Sequence, residues 1–235
     1  MPDRGEYLRR TPRVSWLDWE TLEVPWEGLL DHEHPAQPTD EDTELYRVNR
    51  TRRRAVTEFF RYINRRRINA NNERTLISTL VPPGAAHVHP VLSLAFRDSA
   101  DLVGLVGFTA SVVADFFIKS TGLGDLYDST LARLPHVTSS AIAARALALN
   151  CLTTHYAPLW EEVYDVDFAD QRWSQPGNPR LPHDFWPALT STWTRHCALR
   201  SDYARRMALV EIDVLVAQAL GLTLDELLLI YRVQF

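Results

Sequence analysis

The sequence predicts an α+β fold, in which a mixed sheet with packed helices is followed by an all-helical C-terminal portion. Two runs rich in Leu, Ile, Thr and Val, at 74–84 and 89–96, have the composition of strands. From about residue 138 onward, alanine and leucine recur at helical spacing. The chain has 235 residues and is 46% hydrophobic, which is enough for a substantial core.

The sequence divides into three parts. Residues 1–44 are expected to form an N-terminal extension that ends in an acidic linker, because 31–44 is polar and contains proline. Within that linker, His32 and His34 have no further ligands close by, so a solvated loop is favoured over a metal site. Residues 45–137 are expected to form an α/β domain, and residues 138–235 a helical region.

Turn and capping residues set the expected element boundaries. The run 74–84 ends in Pro82-Pro83-Gly84, which predicts a buried strand stopped by a turn, and 89–96 is the second strand. Apolar residues from 102 to 120 predict one helix that stops at Gly122. Near the C-terminus, Thr223 and Glu226 have the spacing of a capping box.

Composition limits the class of protein. Cys151 and Cys197 are the only cysteines and do not suggest a disulfide framework. The N-terminus lacks the apolar segment of a signal peptide, and the longest apolar stretch is interrupted by Gly104 and Asp115. We therefore expect a cytoplasmic protein with reduced thiols and no membrane partner.

Arginines cluster strongly in one segment. Between residues 45 and 67 there are nine arginines and one acid, interleaved with aromatic residues, although the net charge of the chain is −5. This composition is typical of a nucleic-acid contact surface. The alternative is a solvated face whose charge is balanced by acids elsewhere in the fold. A G+C-rich genome would also favour arginine, since Lys119 is the only lysine.

The sequence contains no recognisable catalytic constellation. Phosphate-loop and zinc signatures are absent, and Gly122-x-Gly124 follows a predicted helix instead of a strand, so no cofactor or metal site is expected. Cys151 and His155 would share a helical face, but a buried structural cysteine is the more common case. The acids between 161 and 170 are typical of a solvated face.

Three stretches, in this order, resemble a known family: NERTLISTLVPPG (72–84), LVGLVGFTASVVADFFIKSTGLGDLYDSTLARLP (102–135), and the helical segments from 143 and 205 onward. The first two resemble the target recognition domains of bacterial adenine-specific DNA methyltransferases of the fused restriction-modification and phage-defence type. The helical segments resemble the helical C-terminal region of some of the fused enzymes. The second stretch is also similar to type I specificity subunits. The resemblance extends over roughly residues 60 to 235.

The resemblance implies a specificity role without catalysis. In that family a separate catalytic domain binds S-adenosylmethionine and holds the flipped adenine with an Asn/Asp-Pro-Pro-Tyr/Phe motif. Here Pro82-Pro83 stands between Val81 and Gly84, so the motif is missing. The expected partners are double-stranded DNA and a methyltransferase catalytic domain or subunit, either fused to this chain or encoded separately. S-adenosylmethionine is expected on that partner and no cofactor in this chain.

On this hypothesis, loops around 61–74 and 84–90 enter a groove of the DNA. Arginines would bind phosphates, and asparagine amides would pair with adenine. Alternatives remain for several of them: Asn71-Asn72 as a turn, Arg74 paired with Glu73 or Asp98, and Lys119 complementing a helix dipole. The candidate DNA-binding residues are Arg61, Arg65, Arg66, Arg67, Asn69, Asn71, Asn72, Arg74, His87 and Lys119.

A second function fits the same sequence. The chain has seven tryptophans and a leucine-rich C-terminus, which suit a protein-interaction or scaffold subunit of a defence complex that does not contact DNA directly. In that case the arginines would meet acidic protein surfaces.

Overall fold

The computed structural model describes residues 16–18, 53–69 and 71–235. Their secondary structure confirms the α+β class, with a small sheet, seven helices and a helical C-terminal part. Most of the expected N-terminal extension, including His32 and His34, lies outside the described residues.

The five described strands form two sheets. β1 (Trp16–Asp18) pairs antiparallel with β2 (Arg53–Ala55). The larger sheet has the order β4-β3-β5 and consists of β3 (Arg61–Arg65), β4 (Ser78–Val81) and β5 (Val91–Ala95). Both of its ladders are antiparallel, so the sheet expected to be mixed is antiparallel.

The central strand β3 places its apolar residues in the core. Tyr62 lies opposite Leu80 on β4 and Leu94 on β5, and all three side chains are buried. The outer edge of β4 is closed by the helical part of the chain. Asn150 accepts a hydrogen bond from the Leu80 amide at 3.3 Å, and the Tyr156 hydroxyl donates to the Leu80 carbonyl at 3.1 Å. These side chains satisfy backbone groups that an edge strand otherwise leaves unpaired.

Two helices take the place of the single helix expected at 102–120. α1 (Ser99–Thr109) begins at the cap Asp98, and α2 (Val112–Ser120) begins at the cap Ser111. The Ser111 side chain accepts from the Ala114 amide at 3.1 Å, which starts a new helix where the apolar pattern alone continues. Gly122 follows α2 with φ +66°, as expected of a residue that ends a helix.

Five further helices complete the described part of the chain. They are α3 (Asp128–Leu131), α4 (Ser140–Asn150), α5 (Ala157–Val163), α6 (Asp202–Ala219) and α7 (Leu224–Gln234). The capping box at Thr223 and Glu226 is confirmed, with the Glu226 carboxylate accepting from the Thr223 amide at 2.7 Å.

One hydrophobic core runs through both parts of the chain, across the boundary expected near residue 137. It extends from Tyr62 on β3 to Leu227 on α7. Helix α1 packs closely on α4 at Gly107, where a Cβ atom would lie 2.4 Å from Cγ2 of Ile142. Side chains of the helical region therefore support the sheet directly.

Among the described helices, none is by itself long and apolar enough to cross a membrane. Helices α1 and α2 reach the length and apolar composition of a membrane span only together, as a pair that is bent by 73°.

Candidate nucleic-acid interface

Three separate segments meet just beyond the end of β3. The Arg66 amide donates to the carbonyl of Pro90 at 2.8 Å, and the Leu126 amide donates to the carbonyl of Arg66 at 2.7 Å. The Ile68 amide donates to the carbonyl of Gly124 at 3.0 Å. We call the surface formed by residues 65–69, 87–90 and 124–127 the basic rim. The two loops expected to approach DNA, 61–74 and 84–90, are therefore neighbours in the fold.

Arg66 lies at the centre of the basic rim. Its Nη1 donates to Nε2 of His89 at 2.6 Å, and its guanidinium carbon lies 4.6 Å from the centre of the Tyr127 ring. Stacking and hydrogen bonding fix the plane of the guanidinium, which reduces the entropy lost when it binds a partner. His89 and Tyr127 are both exposed, so the arrangement faces solvent.

Arg67 is the most accessible arginine of the basic rim, with 82% of its side chain exposed. Its Nε lies 3.4 Å from a carboxylate oxygen of Asp125. An ion pair this exposed contributes at most about 1 kcal/mol, because water competes for both charges. Arg67 is therefore able to exchange this partner for another anion at little cost.

Arg65 and Arg61 are less accessible than Arg67. Arg65 is half-buried, and its Nε and Nη2 atoms are buried without a hydrogen-bond partner among the described residues. Arg61 is only 1% exposed, and burial lowers its pKa. Its guanidinium donates to the Ala85 carbonyl and reaches Ser93 Oγ at 3.5 Å. This burial does not favour a direct contact between Arg61 and DNA, which stays a prediction.

The asparagines after β3 form a turn. Oδ1 of Asn69 accepts from the Asn71 amide at 3.0 Å, and the Asn69 carbonyl accepts from the Asn72 amide at 3.2 Å. This is the side-chain-stabilised turn that asparagine favours. Asn69 and Asn71 are exposed and Asn72 is half-buried. These hydrogen bonds agree with the turn alternative. The side chain of Asn71 remains exposed to solvent.

Arg74 is held by the C-terminal helices. Its Nη2 lies 3.8 Å from Oδ2 of Asp213 on α6, and its guanidinium carbon lies 5.8 Å from the centre of the Phe235 ring. Instead of the alternative pairing with Glu73 or Asp98, Arg74 pairs with a residue distant in sequence. Arg74 is therefore part of a structural network with the C-terminal helices and does not belong to the basic rim.

That network is built on two buried carboxylates. Asp115 accepts from the amides of Thr75 and Leu76 at 2.8 and 2.5 Å, and from the side chain of Gln234. Asp213 accepts from the Val112 amide at 2.6 Å and from the Tyr231 hydroxyl. Burial raises the pKa of both carboxyl groups, and their hydrogen bonds only partly oppose this.

His87 and Lys119 complete the candidates. Nε2 of His87 lies 2.8 Å from Ser93 Oγ, and burial lowers its pKa, with the positive charge of Arg61 acting in the same direction. Lys119 is half-buried in the last turn of α2, where a cation complements the helix dipole. The hydrogen bond and the ring contact of Arg66 are made by His89 and Tyr127, not by His87 or Lys119.

The described residues show no catalytic arrangement. Cys151 is buried, and burial raises the pKa of its thiol. In the described part of the chain, no hydrogen bond joins Cys151 to His155. No group of three or more His, Cys, Asp or Glu side chains that could hold a metal ion occurs in the described part of the chain.

Two residues of the basic rim escaped sequence reasoning, His89 and Tyr127. His89 was visible as one of two histidines between the strands, but nothing in its spacing distinguished it from His87. Tyr127 follows the glycine turn at 122–124, and only the non-local pairing of 124–126 with 66–68 brings it to Arg66.

Comparison of the chain with known protein families, with curated proteins and with solved structures finds no match in any of the three.

Proposed function

We propose that this chain recognises double-stranded DNA for an adenine-specific DNA methyltransferase of a restriction-modification or phage-defence system. The catalytic domain would lie on a partner subunit or in another part of a longer polypeptide. The observation that carries the proposal is the basic rim, where Arg66 is stacked on Tyr127 and hydrogen-bonded to His89, beside the exposed Arg67.

The chemistry of this surface suits a nucleic acid. Arginine forks bind phosphate oxygens through several N–H groups, and a guanidinium held flat on an aromatic ring is ready to do so. Asn71 belongs to the turn next to Arg67, and its exposed side-chain amide is able to pair with an adenine edge. In this proposal the arginines set position on the duplex, and the loop side chains contribute to sequence discrimination.

The charge of the whole chain does not oppose this proposal strongly. Its net charge is −5, but charges are screened beyond about 8 Å at physiological ionic strength. A local group of arginines therefore acts on DNA largely independently of acids on distant surfaces. Asp125, which touches Arg67, is the carboxylate that a phosphate would replace.

The remaining steps belong to the partner. S-adenosylmethionine would bind to the catalytic domain, and that domain would extract the target adenine from the duplex, which costs a few kcal/mol. This chain would supply the position on DNA from which the extraction occurs. A DNA partner of this kind corresponds to a location in the bacterial cytoplasm.

The proposal is tested by fluorescence anisotropy of a labelled duplex, titrated with the purified chain between about 50 and 200 mM salt. Three proteins are compared: the wild type, Arg66→Ala with Arg67→Ala, and Arg180→Ala. Arg180 is a matched control, because it is exposed like Arg67 and stacks on a tyrosine like Arg66, 4.0 Å from the centre of the Tyr203 ring.

Wild type and the Arg180 variant are expected to bind with the same steep salt dependence. The double variant is expected to bind more weakly. Its slope of log K against log salt should be less steep by about two, since each phosphate contact contributes about 0.9. Folded protein that binds no duplex at either salt, or a double variant that binds like wild type, would exclude the proposal.

A scaffold subunit without DNA contact is the second candidate. The observation that favours it lies on α7, where Leu229 is 58% and Val233 62% exposed, one helical turn apart on the same face. Exposed apolar side chains that adjoin one another are typical of protein contact sites. The same titration separates the two candidates, because the scaffold role predicts no salt-dependent binding of the duplex.

A further inference from the structure

Arg61 is buried, which is unusual for a charged side chain. It lies at the start of β3 and is only 1% exposed. Among the described residues no carboxylate pairs with it, and its Nε has no hydrogen-bond partner. A buried guanidinium needs polar partners to replace lost water. The partners it has are the carbonyl of Ala85 and the hydroxyl of Ser93.

Those partners belong to the loop between β4 and β5 and to β5 itself. The loop turns at Gly84, which has φ +87° and whose amide donates to the Thr57 carbonyl at 2.7 Å. Residue Ala85 follows directly, and His87 is tied to Ser93 at 2.8 Å. The contacts of Arg61 and Ser93 therefore hold the loop against the sheet.

The far end of the same loop forms part of the basic rim. His89 accepts the hydrogen bond from Arg66 at 2.6 Å, and the Pro90 carbonyl accepts from the Arg66 amide at 2.8 Å. A displaced loop would remove both contacts. The orientation of Arg66 consequently depends on a loop that Arg61 anchors.

We infer that Arg61 is a positioning residue: it anchors the 84–90 loop so that His89 orients Arg66, and it sets DNA affinity without contacting DNA. The part of this inference that concerns DNA rests on the proposed function. The part that concerns the loop stands on the contacts of Arg61 alone.

The experiment uses Arg61→Met, Arg61→Lys and Arg67→Ala in the full chain. Methionine keeps an unbranched apolar side chain but removes every donor, whereas lysine keeps the charge and one donor group. Hydrogen exchange by mass spectrometry reports on the loop, and the salt titration of duplex binding reports on phosphate contacts. Ser93→Ala is included as a milder change, because it removes the hydroxyl shared by Arg61 and His87.

In Arg61→Met, amide exchange within 84–91 is expected to rise about tenfold, because an unsatisfied Ala85 carbonyl favours local opening. Exchange in α4 and α6 is expected to stay unchanged. Duplex affinity should fall while the salt slope stays that of wild type. Arg61→Lys should recover part of the loop protection. Arg67→Ala should give the opposite pattern, with a slope lower by about one and unchanged loop exchange.

A salt slope that falls by about one in Arg61→Met, with unchanged loop exchange, would overturn the inference, because it would show a phosphate contact. If Arg61→Met does not fold, Ser93→Ala and Arg61→Lys decide, and unchanged exchange within 84–91 in both would overturn it. Wild type that binds no duplex would defeat the proposed function, whereas the exchange data would still test the anchoring role by themselves.

Discussion

The two arginines that are buried in the described part of the chain have very different sets of hydrogen-bond partners. In the helical part, Arg145 Nε donates to Glu211 at 2.8 Å, and its other nitrogens donate to Ala141 O, Gln171 Oε1 and Arg172 O at 2.9 to 3.1 Å. Glu211 in turn accepts from the Ser174 amide at 2.6 Å. In the sheet, Arg61 has a carbonyl and a distant hydroxyl, and no carboxylate among the described residues.

The difference extends from the two residues to their surroundings. Around Arg145, charge and hydrogen-bond donors are matched inside the protein, as expected of a site whose role is structural. Near the end of β3, buried nitrogens of Arg65 and Arg66 also lack partners among the described residues. The charge of Arg145 is therefore neutralised inside the protein, while the exposed Arg67 of the basic rim carries a positive charge that an external anion is able to contact.

The largest effect is expected from Arg145→Ala. It leaves Glu211 buried and unpaired and should lower the free energy of unfolding by about 3–5 kcal/mol. Denaturant unfolding followed by circular dichroism measures this change. Arg206→Ala, an exposed arginine of α6, serves as the control and should stay within about 0.5 kcal/mol of wild type. A loss below about 1 kcal/mol for Arg145→Ala would mean that the helical region does not depend on this pair.

A smaller effect is expected from Asp213→Asn, which probes the network between the two regions. The pKa of Asp213 is raised in the folded protein, so the native state binds a proton that the unfolded chain has released. Stability from this group is present at low pH and is lost as pH rises from the unfolded pKa, near 3.9, through the raised folded pKa.

The Asp213→Asn variant has no carboxyl group at this position, so it does not lose this stability as pH rises. The difference in unfolding free energy, variant minus wild type, should therefore increase as pH rises from about 4 to 7, with Tyr231, Arg74 and Asp115 facing the group in both proteins. Denaturant unfolding across that pH range gives this difference. A constant difference would show that Asp213 titrates normally in the folded state.

The smallest effect on stability is expected from Arg67→Ala. Its side chain is 82% exposed and pairs with Asp125 across solvent, so the free energy of unfolding should change by less than about 0.5 kcal/mol. A loss above about 1 kcal/mol would place Arg67 among the structural arginines and weaken the contrast with Arg145.

Local sequence signals predicted the fold better than the fate of individual charges. The strands around 78–81 and 91–95, the end of α2 at Gly122 and the Thr223 capping box all follow from residues next to one another. The break between α1 and α2 was missed, because the apolar pattern continues through Ala110 and Ser111 while a single serine cap starts the second helix.

The arginines show why the candidate site was predicted only in part. Arg61 and Arg67 have the same chemistry and lie within one short segment, yet one is buried and the other exposed. Their environments depend on which loops fold over the end of β3, which no local pattern encodes. Similarly, Arg74 found its carboxylate on Asp213, far along the chain, instead of on its neighbour Glu73.

Hydrogen exchange of the wild-type chain with and without a duplex, at about 50 mM salt, tests the central claim most directly. Our account predicts slower exchange on adding DNA in 66–69, 84–91 and 124–127, with α4 and α6 unchanged. Protection confined to α6 and α7, or no protection anywhere in a folded chain, would contradict the account and would favour a protein partner for this molecule.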